Sequence, residues 1–290
     1  MSRVAVLTDS SSDLELLQAE EFGVHLLLLS IHFDGRHWLD HTDLDSQHIF
    51  NRIQNGASPP VMRLPTPEHY LGVIDNLLTR HDHVLAIHSS PLIGQVYSFA
   101  LRTLEAYPQR HRVTLHNSGT TSVGMALQAS RAAELLHAGR NVEQVVNVLR
   151  SVQHHQCSRL AVTTLEYLRR ARLISAPSAL IGEFQDRKPI FALQEGRLQS
   201  IGTVRGEEAA LQHLTHTLQD QARTLPEGRL AFVTNGDPAA IDHLRSEGRR
   251  LGLSEVMSAR LGAVISSFSG PNAYGFTYEP TRVWHQFKQY

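Results

Sequence analysis

At 290 residues the chain can bury a large core, and its length fits two domains or one large one. Hydrophobic residues make up 41% and charged ones 19%, which excludes a disordered chain, and a net charge of −1 leaves no electrostatic footprint for nucleic acid or an anionic membrane surface. The single cysteine, Cys157, excludes an internal disulfide and a multi-cysteine metal centre.

The opening apolar run, Val4–Leu7, is too brief for the core of a signal peptide, and reads as a buried strand. Ser12-Asp13-Leu14-Glu15 has a capping-box pattern and predicts a helix that Gly23 closes. Val24–Phe33 reads as a second strand turning at Asp34-Gly35. Its apolar part, Val24–Ile31, falls well short of the roughly 20 residues of a membrane span. The expected location is therefore the cytoplasm. A helix is expected from about Asp45 to Gln54, stopping before Gly56, and Pro59-Pro60 marks a loop. Thr66-Pro67-Glu68 supplies an N-cap with proline at the first helical position. The strand Val84–His88, a helix running through Tyr107, the strand Arg112–His116 and two helices to about His155 follow. Short buried strands alternating with helices predict a parallel sheet covered by helices.

Past residue 156 the texture changes. Leu160–Thr163 reads as a strand, and Pro189–Leu193 with Leu198–Val204, joined by Glu195-Gly196, reads as an antiparallel pair. Helices at about Glu207–Thr224 and Pro238–Leu251 flank the strand Leu230–Thr234, and Ala263–Ser267 reads as the last strand. The expectation is an α/β protein of two domains, 1–156 with a parallel sheet and flanking helices, and 157–290 with a mixed sheet and helices.

Three strands of the first domain run into hydroxyl-rich loops: Thr8–Ser12, Ser89–Gly94 and Asn117–Ser122. Ligands of open α/β sheets bind beyond the carboxyl ends of the strands. These loops can meet an anionic or carbonyl head group with side chains and helix-start amides, or each serine can merely cap its helix. There is no Gly-x-Ser-x-Gly elbow, Walker A loop or Gly-x-Gly-x-x-Gly, which counts against a serine hydrolase and against nucleotide binding. Cys157 has no cysteine partner and reads as a buried structural thiol. Of the 18 histidines, His37 and His41 have a spacing that fits a metal on a helix, but their surroundings read as a hairpin, so no metal site is assigned.

With the loops placed, the chain resembles the DegV family nearly end to end. Val4–Leu14 is similar to the family's opening strand and Thr-Asp-Ser-Thr-Ser-Asp-Leu loop, and Ser89–Gly94 stands where the family has Ser-Ser-x-Leu-Ser-Gly. Thr164–Arg170, Lys188-Pro189-Ile190, Glu195–Leu198, Val204-Arg205, Gly262–Ile265 and Gly270–Gly275 follow the family's later motifs in order. The resemblance implies two α/β domains enclosing one long-chain fatty acid in an apolar tunnel at their junction, with the carboxylate held there and no other cofactor. It also implies a carrier rather than an enzyme, and a fatty acid kinase as partner for some members. Two other readings stay open: an enzyme acting on a small polar substrate at the serine-rich loop edge, and a regulatory interaction protein without ligand. A narrow apolar tunnel favours the carrier, and an open polar cleft the enzyme.

The residues that the family's carboxylate site maps onto depart from its pattern. The threonine of its Thr-Ser-Gln-Pro segment has become Met62, next to Arg63; the serine before the glycine of the second loop has become Ile93; and the histidine position falls on Phe268. Ser89, Ser90 and Gly94 are retained. The family's Gly-Gly-Arg-Ile-Ser arrives shifted, as Ala171–Ser175, which displaces the arginine that a kinase would meet to Arg172. The expected lipid-binding set is thus Met62, Arg63, Ser89, Ser90, Ile93, Gly94 and Phe268. Within it, two readings of Arg63 stay open: helped by Ser90 and the Gly94 amide it replaces the neutral donors with an ionic clamp, or it simply points to solvent. Burying about 14 methylenes at about 0.8 kcal/mol each gives on the order of 11 kcal/mol as an upper bound. A head-group hydrogen bond adds about 1–3 kcal/mol, so the chain term dominates.

Overall fold

The computed structural model describes residues 3–42, 46–55, 57–175 and 186–281. The first half contains β1 (Val4–Asp9), α1 (Leu16–Glu21), β2 (Val24–Leu27), β3 (Ser30–Phe33), β4 (Arg36–Leu39), α2 (Ser46–Gln54) and β5 (Val61–Arg63). It continues through α3 (Pro67–Leu78), β6 (His83–His88), α4 (Val96–Glu105), β7 (Val113–Asn117), α5 (Ser122–His137) and α6 (Val142–His155). Four of these strands form a parallel sheet in the order β2-β1-β6-β7. Nearly every residue of β1 and β6 is buried, as befits strands with both faces covered. A separate antiparallel ribbon, β4-β3-β5, stands beside it.

The expected single strand Val24–Phe33 is two strands in two sheets. The chain leaves the parallel sheet after Leu27, and the Leu29 N–H donates to the Ser10 hydroxyl at 3.1 Å instead of to a neighbouring strand. The expected capping box at Ser12 is displaced as well. Asp9 accepts from the Ser11 amide to cap a 3-10 turn over Ser10–Ser12, Asp13 takes a left-handed φ of 56°, and the box that opens α1 is formed by Glu15 and Gln18. The expected helix limits at Asp45 and Gly56 lie outside the described residues.

The second half contains β8 (Cys157–Ala161), α7 (Glu166–Arg170), β9 (Arg187–Gln194), β10 (Arg197–Arg205), α8 (Gly206–Thr224), β11 (Gly228–Thr234) and α9 (Ala239–Arg250). It ends with β12 (Ser254–Arg260), α10 (Ala263–Ser269) and β13 (Tyr274–Pro280). The six-stranded sheet runs β10-β9-β8-β13-β11-β12, and only the β11–β12 pair is parallel. Ala263–Ser267, expected as a strand, is helix α10. A carboxylate from the other half of the chain decides this: Asp40 Oδ1 accepts from the Ala263 amide at 2.7 Å and from the Val264 amide at 3.3 Å, satisfying a helix start whose own N-cap, Gly262, has no side chain.

Helix α5 lies between the two sheets. Ser122–Ser130 are buried without a break, so the helix has no solvated face over its first two turns. It makes contact with β1, β2 and β6 on one side and with β11, β12 and β13 on the other. One hydrophobic cluster accordingly runs from Val6 and Leu85 through Val123 and Ala126 to Ala231 and Val233.

Candidate functional site

The strand β8 alternates between two environments. Cys157 and Ala161 point into the core beneath α8 and α9, whereas Ser158 and Leu160 point towards α5. On the α5 side the packing is incomplete and leaves a narrow apolar cavity of about 70 Å³, part of it open to solvent. Its sheet wall is Leu160, Leu193, Leu198 and Val233; Val123 faces it from α5, and Leu168 and Leu173 close one flank. Helix α10 contributes Ile265 and Phe268, and the loop after β6 contributes Ile93. Both halves of the chain therefore supply wall, and its lining is predominantly apolar, as in small-molecule pockets.

Ile93 and Phe268 of the sequence-derived set meet at this wall, and the other five do not. Met62 is half-buried on β5 against the common core, while Arg63, the next residue, is exposed at the end of that short strand. Ser89 and Ser90 are buried. The Ser90 hydroxyl donates to the Gly196 carbonyl at 2.6 Å, tying the loop to the β9–β10 turn. The Gly94 amide donates to the Ser90 carbonyl at 2.8 Å, and a side chain at 94 would come within 2.6 Å of the Ser89 hydroxyl. Two of the three donors of the ionic clamp are thus already engaged, Ser90 with the β9–β10 turn and Gly94 inside its own loop, and Arg63 stands outside the wall.

The serine-rich loops are likewise bonded to their own framework. Thr8 donates to the Ile87 carbonyl, Thr121 to the Ser11 carbonyl, Ser118 to the Thr120 carbonyl, and Ser122 to the Asp13 carboxylate. Asp13 also accepts from the Gly262 amide at 2.8 Å. Burial holds its carboxyl well above the usual range, more than these two bonds lower it, and the nearby Asp40 adds to the rise. Asp40 itself is raised by burial, with His41 opposing. His41 Nε2 lies 3.8 Å from Asp40 Oδ2, whereas His37 sits on β4 beside His32, so the two histidines of the noted spacing serve different neighbours. Among the described residues no three His, Cys, Asp or Glu side chains gather where they could hold a metal.

Sequence reasoning missed a buried chain of hydrogen bonds at the carboxyl edge of the parallel sheet. The Tyr70 hydroxyl meets His88 Nε2 at 2.9 Å, and His88 Nδ1 meets Asp9 Oδ2 at 2.7 Å. It also missed most of the cavity wall, because inward-facing leucines carry no signal until the face of each strand is known. Arg159 belongs to the opposite face by strand alternation, where its charge lowers the Cys157 thiol against the dominant upward push of burial.

Comparison with known proteins agrees with this architecture. The model of a family described as uncharacterised proteins of the DegV family matches residues 3–281. A DegV domain-containing protein of Deinococcus radiodurans is 31% identical over 279 residues, covering 96% of this chain and 98% of the relative. Among solved structures, a DegV family protein from Thermus thermophilus described as fatty acid binding superposes with a TM-score of 0.89 at 31% identity, covering 96% and 99% of the two chains. A DegV family protein from Eubacterium eligens loaded with heptadecanoic acid shares the fold at 16% identity, with a TM-score of 0.82 over 96% and 100% of the chains.

Proposed function

Since this chain belongs to the DegV family, we propose that the apolar cavity between its sheets holds one long-chain fatty acid, for which the protein is a carrier. The observation that supports this best is the wall itself: leucine, isoleucine, valine and phenylalanine from both halves, with the neighbouring loop hydroxyls spent on the framework. An open polar cleft, which an enzyme for a small polar substrate would need, is not what these loops form. The lobes are divided at residue 156, and the cytoplasm is the proposed location. Among the described residues no helix is long and apolar enough to cross a membrane.

Ile93 and Phe268 act in this reading as wall residues, and Ser89, Ser90 and Gly94 as the brace that sets Ile93 in place. Met62 packs against the common core. Arg63 takes a head-group role only for a carboxylate that reaches the surface. Presentation of that carboxylate to a fatty acid kinase is the further step the family resemblance implies, and acyl phosphate formation with a cognate kinase is its measurement.

The decisive experiment is mass spectrometry of an organic extract of the purified protein, compared with a variant whose cavity is filled, Leu160→Trp. One acyl lipid per chain is expected from the native protein and a large reduction in the variant. A native protein that carries no acyl lipid and takes up none when offered would overturn the proposal.

A further inference from the structure

The sheet face that floors the cavity is apolar except at one point. Ser158 on β8 and Thr277 on β13 are paired across the two strands, both face the cavity, and both are buried. Their hydroxyls lie 2.8 Å apart, and among the described residues neither has another hydrogen-bond partner. Each hydroxyl carries one proton and two lone pairs, so the mutual bond uses one proton and leaves the second without an acceptor. Other hydroxyls at the wall are satisfied: Thr121 by the Ser11 carbonyl, Ser122 by Asp13 and Ser269 by the Gly270 carbonyl.

An unpaired O–H facing a hydrocarbon chain is unfavourable, and packing does not require it here. Replacing both partners of a hydrogen bond with apolar groups of the same shape is close to neutral, so alanine and valine would fill these positions equally well. Helix α5 also approaches closely at this point, with Gly124 so near that a Cβ there would lie 3.3 Å from the Ser158 hydroxyl. The polar spot thus lies buried where α5 approaches the sheet. An ionised carboxylate is a poor fit, because two neutral hydroxyls do not offset the desolvation of a charge.

Resting on the carrier reading above, we propose that Ser158 and Thr277 select an acyl chain bearing a neutral oxygen function along its length, a hydroxyl or keto group, rather than an unsubstituted chain. The pair donates its spare proton to that oxygen, and a hydroxyl on the chain can donate back to a lone pair of Ser158 or Thr277.

Calorimetric titration of the full chain, stripped of bound lipid, tests this with octadecanoic acid and a series of hydroxyoctadecanoic acids whose hydroxyl is moved along the chain. At least one interior isomer should bind about tenfold more tightly than the unsubstituted acid, the value of one additional neutral hydrogen bond. The double variant Ser158→Ala/Thr277→Val should reverse that order, and Thr277→Ser, which keeps the hydroxyl, should retain it. Unsubstituted acid binding as tightly as every isomer, or a preference surviving in the double variant, would overturn the inference while leaving the carrier reading intact. Binding of neither acid would overturn both. The native comparison needs no variant to fold.

Discussion

His116 is a neutral imidazole kept dry on β7, bonded to Gln128 at 3.4 Å. Burial lowers its pKa to about 4, with the Gln128 bond opposing and the Arg150 charge assisting. The fold therefore prefers the unprotonated ring, while the unfolded chain takes up a proton below about 6.5. Stability from this residue is complete above about pH 6.5 and is lost as the pH falls towards 4, by about 3 kcal/mol in all. Asp13, Asp40 and Glu279 work in the opposite sense. Their raised pKa values favour the protonated acid in the fold, so their contribution is fullest at low pH and declines as the pH rises through those raised values. The native pH profile is the sum, and His116→Gln isolates one part of it. Urea unfolding between pH 4 and pH 7 should show a shallower acid loss in the variant; identical slopes would refute the assignment.

At the scale of single elements, helix α10 shows where a sequence becomes unreadable and why. Ala263–Ser267 is short, apolar and β-compatible, and its helical state depends on Asp40, more than 220 positions away. Local propensity is overridden by a tertiary cap, and no window around residue 263 contains that information. Replacing Asp40 with alanine should cost about 1–2 kcal/mol through the lost cap. Asp40→Asn, which keeps an acceptor and removes a carboxyl that burial disfavours in its charged form, should cost much less; equal losses in the two variants, measured by urea denaturation, would count against capping. The elements that were legible, β1, β6, α3 and the β9–β10 hairpin, are those whose signals are local: a buried run, a Thr-Pro cap, a Glu-Gly turn. Strand β13 was not foreseen. Its alternation serves two buried faces, Phe276 and Tyr278 in one core and Thr277 and Glu279 in the other, so polar residues interrupt what would otherwise read as a buried run. The same blindness hid the cavity. Ile93 and Phe268 could be placed by their motifs, whereas Thr277 could not, because its strand was unassigned.

For the whole molecule, the two halves are joined by charge as well as by packing. Glu279 on β13 is fully buried and lies 3.3 Å from Arg131 of α5 and 3.6 Å from Arg229 of β11, and Arg229 reaches back to Glu134 of α5 at 2.9 Å. Removing one partner from such a buried group leaves the others uncompensated, so Glu279→Ala should lose about 3–5 kcal/mol. Because the hydrophobic cluster is continuous through α5, native protein and variant alike should unfold in one transition, with tryptophan fluorescence and far-ultraviolet circular dichroism coinciding. Two resolved transitions would show that the sheets are energetically independent.

Helix α5 gives the chain a particular standing under recombination. It completes the parallel sheet, yet its other side is the surface against which the mixed sheet folds and from which the cavity is enclosed. A gene fragment encoding either half would expose a broad apolar surface in its product, and exchange with an unrelated partner would need a matching helix at the join. The unit that can be inherited, duplicated or grafted is then the entire pair of sheets.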